Sequence, residues 1–247
     1  MHGRETEFMW DPIWFSPFNV LVHAEKIRKA ATDEVKKTKE YRKVLEAEVA
    51  AKMLVGISMA SKKEFWMQIV DDKFGSPDIR TLCYSNDEHP SFDFLEVQYV
   101  EVVEYEEHSA ENLIQFIERT KFSKKKAYDQ TTHILCHLGG ATKIYVPNES
   151  ELAKQVADSK INCPVLFIGS PEGLPSSTYR LLQLWPTVRM AVEFDVEEEY
   201  KRNTPIKFGV MRFERGKRKP LTRHEGERHY SFENIGFIPT NQEEYGF

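Results

Sequence analysis

Cysteine is scarce in this chain, and its spacing limits what the cysteines can do. The three cysteines stand at positions 83, 136 and 163, far apart in the sequence and without a CxxC pair. An odd number at such spacing disfavours both a disulfide framework and a structural zinc site. A reducing cytoplasm is therefore the expected location.

Long apolar runs and a leader pattern are also missing. No stretch of 18 apolar residues occurs, and the first residues lack the basic-then-apolar order of a signal peptide. The sequence therefore predicts no membrane association through a span. Residues 1–23 are aromatic and proline-bearing, which predicts an irregular arm packed on the body. A peripheral membrane anchor is the weaker alternative, because few basic residues accompany the aromatic ones.

Basic residues are outnumbered, with 34 Lys and Arg against 39 Asp and Glu and a net charge of −5. This balance argues against a protein that coats nucleic acid through its overall charge. It leaves open a local basic groove, since recognition depends on where the charges lie.

What the sequence does contain is an alternation of helical and strand patterns, followed by a polar tail. Residues 24–59 predict one long helix or two helices in tandem. The other predicted helices are 109–120, 149–159 and 176–185, and the predicted strands are 64–72, 79–84, 92–105, 132–138, 164–168, 187–196 and 206–213. This order predicts an α/β fold with a mixed sheet flanked by helices. We expect one domain over residues 1–247, with its core at about 40–170 and a C-terminal extension from about 200.

The strand over residues 92–105 carries polar side chains on an apolar face. Side chains alternate faces along a strand, so Glu96 and Gln98 share a face with Val100 and Val102. A carboxylate and an amide are costly to bury there unless a partner satisfies them, and a divalent cation is such a partner.

A second carboxylate, Asp78, stands just before the preceding strand and follows Pro77. An antiparallel neighbour is expected to bring Asp78 beside Glu96. Two adjacent carboxylates repel each other, and Mg²⁺ removes that conflict because it prefers carboxylate oxygens, waters and phosphate.

Pro77-Asp78 followed by Glu96-Val97-Gln98 on the next strand resembles the motif of the PD-(D/E)XK nuclease superfamily. The preceding helix and the following helix and strand also match that family's αβββαβ core, over roughly residues 40–140. The resemblance implies a restriction-endonuclease-like fold and Mg²⁺, with Mn²⁺ as a substitute, held by Asp78, Glu96 and the carbonyl of Val97. Gln98 stands where the family usually has lysine, so a cation beside the attacking water is missing from the motif.

The family often adds a carboxylate from the first helix, and helical geometry chooses between two residues. With Leu45 at zero, Glu46 falls at about 100°, within the apolar arc, and Glu48 falls at about 300°, on the polar side. Glu46 is therefore the predicted fourth catalytic residue beside Asp78, Glu96 and Gln98.

Two basic segments are candidates for contact with DNA phosphates. One is Lys124, Lys125 and Lys126, for which a solvated loop is the alternative. The other is the stretch 212–229, which is locally basic within an acidic protein and includes Arg215, Lys217, Arg218 and Lys219. His133 and His137 have a spacing that suits zinc on a helix, but their segment predicts a strand.

The sequence thus predicts a Mg²⁺-dependent DNA endonuclease of the restriction type, with no nucleotide cofactor. By analogy with such enzymes, a homodimer is expected. One alternative is a catalytically silent nuclease-like domain that binds nucleic acid or a protein partner, which Gln98 favours. The other is an unrelated α/β protein in which the motif arose by chance.

Overall fold

A computed structural model describes twelve segments of the chain. They are residues 13–70, 78–85, 94–105, 112–123, 128, 131–139, 148–163, 165–171, 177–187, 190–202, 210–215 and 235–240. At residues 13, 84–85, 94–97, 149, 190–191, 210–215 and 235–240 only the main chain is described.

The strands join in one mixed sheet. They are β1 (Ile13–Phe15), β2 (Glu64–Ile69), β3 (Ile79–Ser85), β4 (Phe94–Glu104), β5 (Thr132–His137), β6 (Val165–Pro171), β7 (Thr178–Trp185), β8 (Met190–Asp195), β9 (Val210–Arg215) and β10 (Ile235–Thr240). Their order across the sheet is β10-β9-β1-β2-β3-β4-β5-β6-β7-β8. The β4–β5 and β5–β6 pairs are parallel, and the other pairs are antiparallel.

Two helices in tandem occupy the segment in which the sequence predicts one or two. They are α1 (Pro17–Ala30) and α2 (Lys39–Ser61). Ser16 caps α1 and Thr38 caps α2, each accepting a hydrogen bond from a main-chain N–H three residues on. The expectation of an irregular arm is wrong for residues 13–23, because they form β1 and the first half of α1. Pro17 suits the first turn of a helix, where no N–H partner is needed.

The later helices are shorter. They are α3 (Leu113–Ile117), α4 (Glu149–Ala157) and α5 (Val196–Arg202). A π-helical turn, Glu118–Phe122, continues α3.

Helices cover both faces of the sheet. On one face, α2 packs in a cluster with Val100, Val102 and Leu135. On the other face, α3 and α4 pack in a cluster with Val103 and Ile134. The predicted class, a mixed sheet flanked by helices, is therefore confirmed.

One predicted element has the wrong type. The segment predicted as a helix over 176–185 is strand β7, which pairs with β6 and β8. Leu181 packs in the α2 cluster and Leu182 in the α3–α4 cluster, so this strand is buried on both faces. A strand of that kind lacks the polar alternation that would distinguish it from a buried helix. Among the described residues, no helix is long and apolar enough to cross a membrane.

Strand β4 is longer than its neighbour β3, and this difference creates the candidate site. The antiparallel pairs run from Ser85–Phe94 to Ile79–Val100, so β4 continues beyond the first residue of β3. Asp78 therefore stands beside the carboxyl-terminal part of β4, which at that point also pairs in parallel with β5.

Candidate functional site

Asp78 lies beside the part of β4 that extends beyond the first residue of β3. Its Oδ2 accepts a hydrogen bond from the main-chain N–H of Val102 at 2.9 Å. Its Oδ1 accepts one from Lys43 Nζ on α2, also at 2.9 Å. The side chain is only 16% exposed, so these contacts lie in a partly desolvated region where charge interactions are strengthened.

Glu101 is the carboxylate of β4 that lies nearest to Asp78 along the ladder. It is 3% exposed, and Lys121 Nζ donates to its Oε2 at 2.9 Å. The same Nζ lies 3.8 Å from Asp78 Oδ2, so Lys121 bridges the two carboxylates. A buried carboxylate needs such compensation, because an unpaired charge at this depth would be strongly unfavourable.

Glu46 adds a third carboxylate from α2. Lys43, one turn earlier on the same helix, places its Nζ 3.3 Å from Glu46 Oε2. Among the described residues, that oxygen is buried and makes no hydrogen bond of good geometry. Burial raises the pKa of Glu46, and the negative charge of Asp78 raises it further. Glu46 lies toward the cluster, as the helical wheel predicts, but Glu48, which the wheel placed on the polar side, is the more buried of the two and also lines the cavity. The catalytic role of Glu46 stays a prediction.

We call Lys43, Glu46, Asp78, Glu101 and Lys121 the acid–lysine cluster. Its members come from α2, the residue before β3, the end of β4 and the π turn after α3. π turns inside helices occur frequently at functional sites. These residues are distant in sequence. They meet here because β4 pairs antiparallel with β3 on one side and parallel with β5 on the other.

A cavity of about 500 Å³ opens beside this cluster. Glu46 and Lys121 line it, together with Glu104 and His137 at the carboxyl ends of the parallel strands β4 and β5. Ligands of α/β proteins commonly bind at the carboxyl ends of parallel strands.

A separate ion-paired group forms another wall of the cavity. Glu48 Oε1 accepts from Arg28 at 3.1 Å and from Lys52 at 2.8 Å. Nearby, His137 Nδ1 lies 3.2 Å from the Tyr179 hydroxyl. Burial, and then the charge of Lys52, lower the pKa of His137 to about 4, so the imidazole is neutral at neutral pH.

Glu96 and Gln98 do not lie beside Asp78. Glu96 pairs with Cys83 and Gln98 with Thr81. Five residues separate Cys83 from Asp78, roughly 16 Å along a strand. The expected adjacency of Asp78 and Glu96 is therefore wrong, because it assumed a register displaced along the hairpin. The carboxylate that meets Asp78 is Glu101, which lies on the opposite face of β4 from Glu96.

The other predicted residues are placed only in part. Val97 pairs with Leu82 through the main chain, and Arg215 ends β9 with its side chain outside the described residues. Also outside the described residues are Lys124, Lys125, Lys126, Lys217, Arg218 and Lys219.

No protein-family model, curated protein or solved structure matches this chain. What the site can do therefore follows from its own chemistry.

The cluster offers oxygen ligands, a raised-pKa carboxyl group and ammonium groups within one small volume. Within the described part of the chain, no three His, Cys, Asp or Glu side chains are grouped closely enough to hold a metal ion as they stand. The Lys43 and Lys121 ammonium groups lie where the carboxylates converge, at 2.9 Å from Asp78 and Glu101 respectively. A divalent cation would therefore have to displace at least one of these ammonium groups from its carboxylate.

Proposed function

We propose that this chain is a Mg²⁺-dependent nuclease that hydrolyses phosphodiester bonds in DNA, with the acid–lysine cluster as its active centre. The observation that carries the proposal is the convergence of Glu46, Asp78 and Glu101 with Lys121 beside a nucleotide-sized cavity. Active sites are the places where carboxylates and cations are commonly brought together with altered pKa values.

The order of elements supports the same proposal. Helix α2 precedes three antiparallel strands, β2, β3 and β4, and α3 then leads to β5, which is parallel to β4. This is the αβββαβ order that the resemblance to the PD-(D/E)XK superfamily implies. The proposal retains Asp78 and Glu46 and replaces the pair Glu96 and Gln98 with Glu101 and Lys121. Lys121 provides the cation that Gln98 cannot provide.

The oxygen donors of the cluster are of the type that a hard divalent cation binds, although the described side chains would have to move closer together to hold it. Carboxylate oxygens are the ligands that Mg²⁺ prefers, and Glu46 Oε2 is buried without a well-formed hydrogen bond among the described residues. Asp78 and Glu101 would hold the ion once Lys43 withdraws from Asp78. When bound, Mg²⁺ stabilises negative charge on the phosphate and lowers the pKa of a water molecule.

The side chains of the cluster supply the remaining roles. Lys121 binds a phosphate oxygen and stabilises the charge that develops during attack. Glu46 accepts the proton of the attacking water, since its raised pKa brings it closer to neutral pH than an ordinary carboxylate. Asp78 keeps the end of β4 in place through its bond from the Val102 N–H.

Cleavage assays test this proposal. Purified protein is incubated with plasmid and phage DNA in Mg²⁺, in Mn²⁺ and in EDTA. We expect cleavage in the metals alone, and a loss on the order of 100-fold or more in Asp78→Asn. Asparagine keeps an oxygen that can accept from the Val102 N–H, so the variant removes charge with little effect on folding. Undiminished cleavage by Asp78→Asn, at an unchanged unfolding midpoint, would refute the assignment.

The second candidate function is a nuclease-like domain that binds nucleic acid without cutting it. The ion pairs within the cluster favour it, because Lys43 and Lys121 already compensate Asp78 and Glu101. It predicts DNA binding that persists in Mg²⁺ and Mn²⁺ with no product after long incubation. Homodimer formation is proposed by analogy with restriction-type enzymes and is checked by sedimentation of the protein with and without DNA.

A further inference from the structure

The cavity beside the acid–lysine cluster carries charges beyond those of the cluster itself. Five of its lining residues are Arg or Lys and three are Glu. The cations are Arg28, Arg42, Lys52, Arg119 and Lys121, and the carboxylates are Glu46, Glu48 and Glu104. Lys121 is shared with Asp78 and Glu101, so Arg42 and Arg119 are the cations of the lining that favour an anionic ligand.

One of the lining carboxylates is already neutralised by two of the cations. Glu48 is 8% exposed and is already compensated by Arg28 and Lys52. Arg42, in contrast, is exposed at the cavity, and within the described residues its guanidinium forms no ion pair. Arginine presents planar donors that match the oxygens of a phosphate group.

The cavity is also lined by apolar side chains. They are Leu45 and Val49 from α2, Val102 and Val103 from β4, and Phe116 from α3. A volume of about 500 Å³ lies within the usual range for a small ligand, roughly 300–1,000 Å³. A cavity of this volume, lined by both arginine and apolar side chains, suits one nucleotide, with its phosphate toward the arginines.

We infer that this cavity binds the phosphomonoester of a single nucleotide, either at the end of a nucleic-acid strand or as a free mononucleotide. The choice of a nucleotide rests on the proposed nuclease function. A phosphomonoester carries a charge of about −1.5 to −2 at neutral pH, so it is attracted to Arg42 and Arg119 more strongly than a diester with its single charge. Glu46 and Lys121 line both the cavity and the cluster, so a phosphate bound here lies beside the proposed active centre.

Binding is measured in EDTA, so that no cleavage is involved. A fluorescent single-stranded oligonucleotide with a terminal phosphate is compared with the same strand ending in a hydroxyl group. Inorganic phosphate and a nucleoside 5′-monophosphate are used as competitors. We expect the phosphorylated strand to bind on the order of tenfold more tightly, and both competitors to displace it.

Single variants locate the site. Arg42→Gln and Arg119→Gln are each expected to weaken the phosphorylated strand about tenfold, with little effect on the hydroxyl-ended strand. Arg202→Gln is the matched control, because Arg202 is 70% exposed on α5 and pairs with Glu199, away from the cavity. Unfolding midpoints are recorded for every variant, so that a loss of binding is not confused with a loss of fold.

The two sources of the phosphomonoester give different results. Preference for the phosphorylated strand assigns the site to strand ends, whereas binding of the mononucleotide alone assigns it to free nucleotides. Equal affinity for both strands, with no binding of mononucleotide or inorganic phosphate, overturns the inference. A protein that binds the phosphate but cleaves no DNA would contradict the proposed function and leave this site standing.

Discussion

Two glutamates on α2 show how the surroundings of a residue decide its chemistry. Glu48 lies between Arg28 and Lys52, which compensate its charge. Glu46 faces Asp78, and burial together with that negative charge raises its pKa. The helical wheel places Glu46 in the apolar arc and Glu48 on the polar side, yet Glu48 is the more buried of the two because Arg28 of α1 and Lys52 cover it. It cannot identify their partners, which come from other elements.

Glu46→Gln is expected to stabilise the fold at pH 7. The folded state holds the pKa of Glu46 above its ordinary value of 4.5, so ionised Glu46 costs stability above that raised pKa. Below pH 4.5 both states are protonated and the cost disappears. Denaturant unfolding at about pH 7 and about pH 4 measures the difference, which should be positive at neutral pH and close to zero in acid. A variant less stable than the wild type at neutral pH would contradict this interpretation.

His137 should make the wild-type protein sensitive to mild acid. Its folded pKa is lowered to about 4 from the ordinary 6.5, so the unfolded state binds its proton first. Stability should therefore fall as the pH decreases from 6.5 toward 4. Because each pKa unit corresponds to about 1.36 kcal/mol, His137→Gln should remove up to about 3 kcal/mol of this loss. If the stability of wild type and of His137→Gln fell by the same amount over that pH range, the result would count against the burial of a neutral imidazole.

At the scale of elements, the register between β3 and β4 decides which carboxylate lies beside Asp78. The observed pairs run from Ile79–Val100 to Ser85–Phe94 and are centred between positions 89 and 90. Residues equally far from that centre face each other, and Asp78 is therefore level with Glu101. The strand itself is predicted correctly. The predicted site, however, takes its polar residues, Glu96 and Gln98, from the face opposite to that of Glu101. The expected partner, Glu96, and the observed one, Glu101, are five positions apart, and a shift by an odd number of residues exchanges the two faces of a strand.

Other elements show where sequence patterns are sufficient. The sequence predicts β2 to β5 in order, because β-branched and aromatic residues dominate them and turns separate them. It predicts a helix in place of β7, since that strand is buried on both faces and its pairing with β6 and β8 is not visible in the local sequence. Lys121 has no signal of its own, because only the fold brings the π turn to β4.

The contact between β6 and β7 provides a prediction for an element. A side-chain carbon at Gly169 would collide with the hydroxyl and ring of Tyr179. Gly169→Ala should therefore cost about 1–3 kcal/mol, as overpacking of a core usually does. The double variant Gly169→Ala/Tyr179→Phe should recover part of this loss, because the closest clashing atom is removed. Thermal unfolding of the two single variants and the double variant measures the coupling, and simple additivity would contradict the clash.

At the scale of the molecule, the two ends of the described chain extend the sheet beyond the candidate core. β1 pairs with β2 on one side and with β9 on the other, and β10 completes that edge. The sequence predicts a strand near β9 but neither β1 nor β10. β1 has only three residues, which gives a local pattern little to act on, whereas β10 contains Gly236 and Pro239, residue types that argue against a strand.

The basic stretch 212–229 provides a prediction for the whole protein on DNA. If its side chains bind the DNA backbone, neutralising Arg215, Lys217, Arg218 and Lys219 should weaken binding to all sequences alike. The slope of log K against log salt should fall by roughly 0.9 for every phosphate that the variant no longer neutralises. Salt titrations in Ca²⁺, which is expected to prevent cleavage, compare this variant with the wild type. An unchanged slope would assign the binding of the DNA backbone to another part of the surface.

The central claim is that Asp78 and Glu101, and not Asp78 and Glu96, form the proposed active centre. One paired measurement tests it. DNA cleavage rates in Mg²⁺ are compared for wild type, Glu101→Gln and Glu96→Gln, two isosteric changes on one strand, with unfolding midpoints as the control for folding. The register predicts that Glu101→Gln loses activity on the order of 100-fold while Glu96→Gln stays close to wild type. Loss of activity in Glu96→Gln with activity retained in Glu101→Gln would contradict this claim.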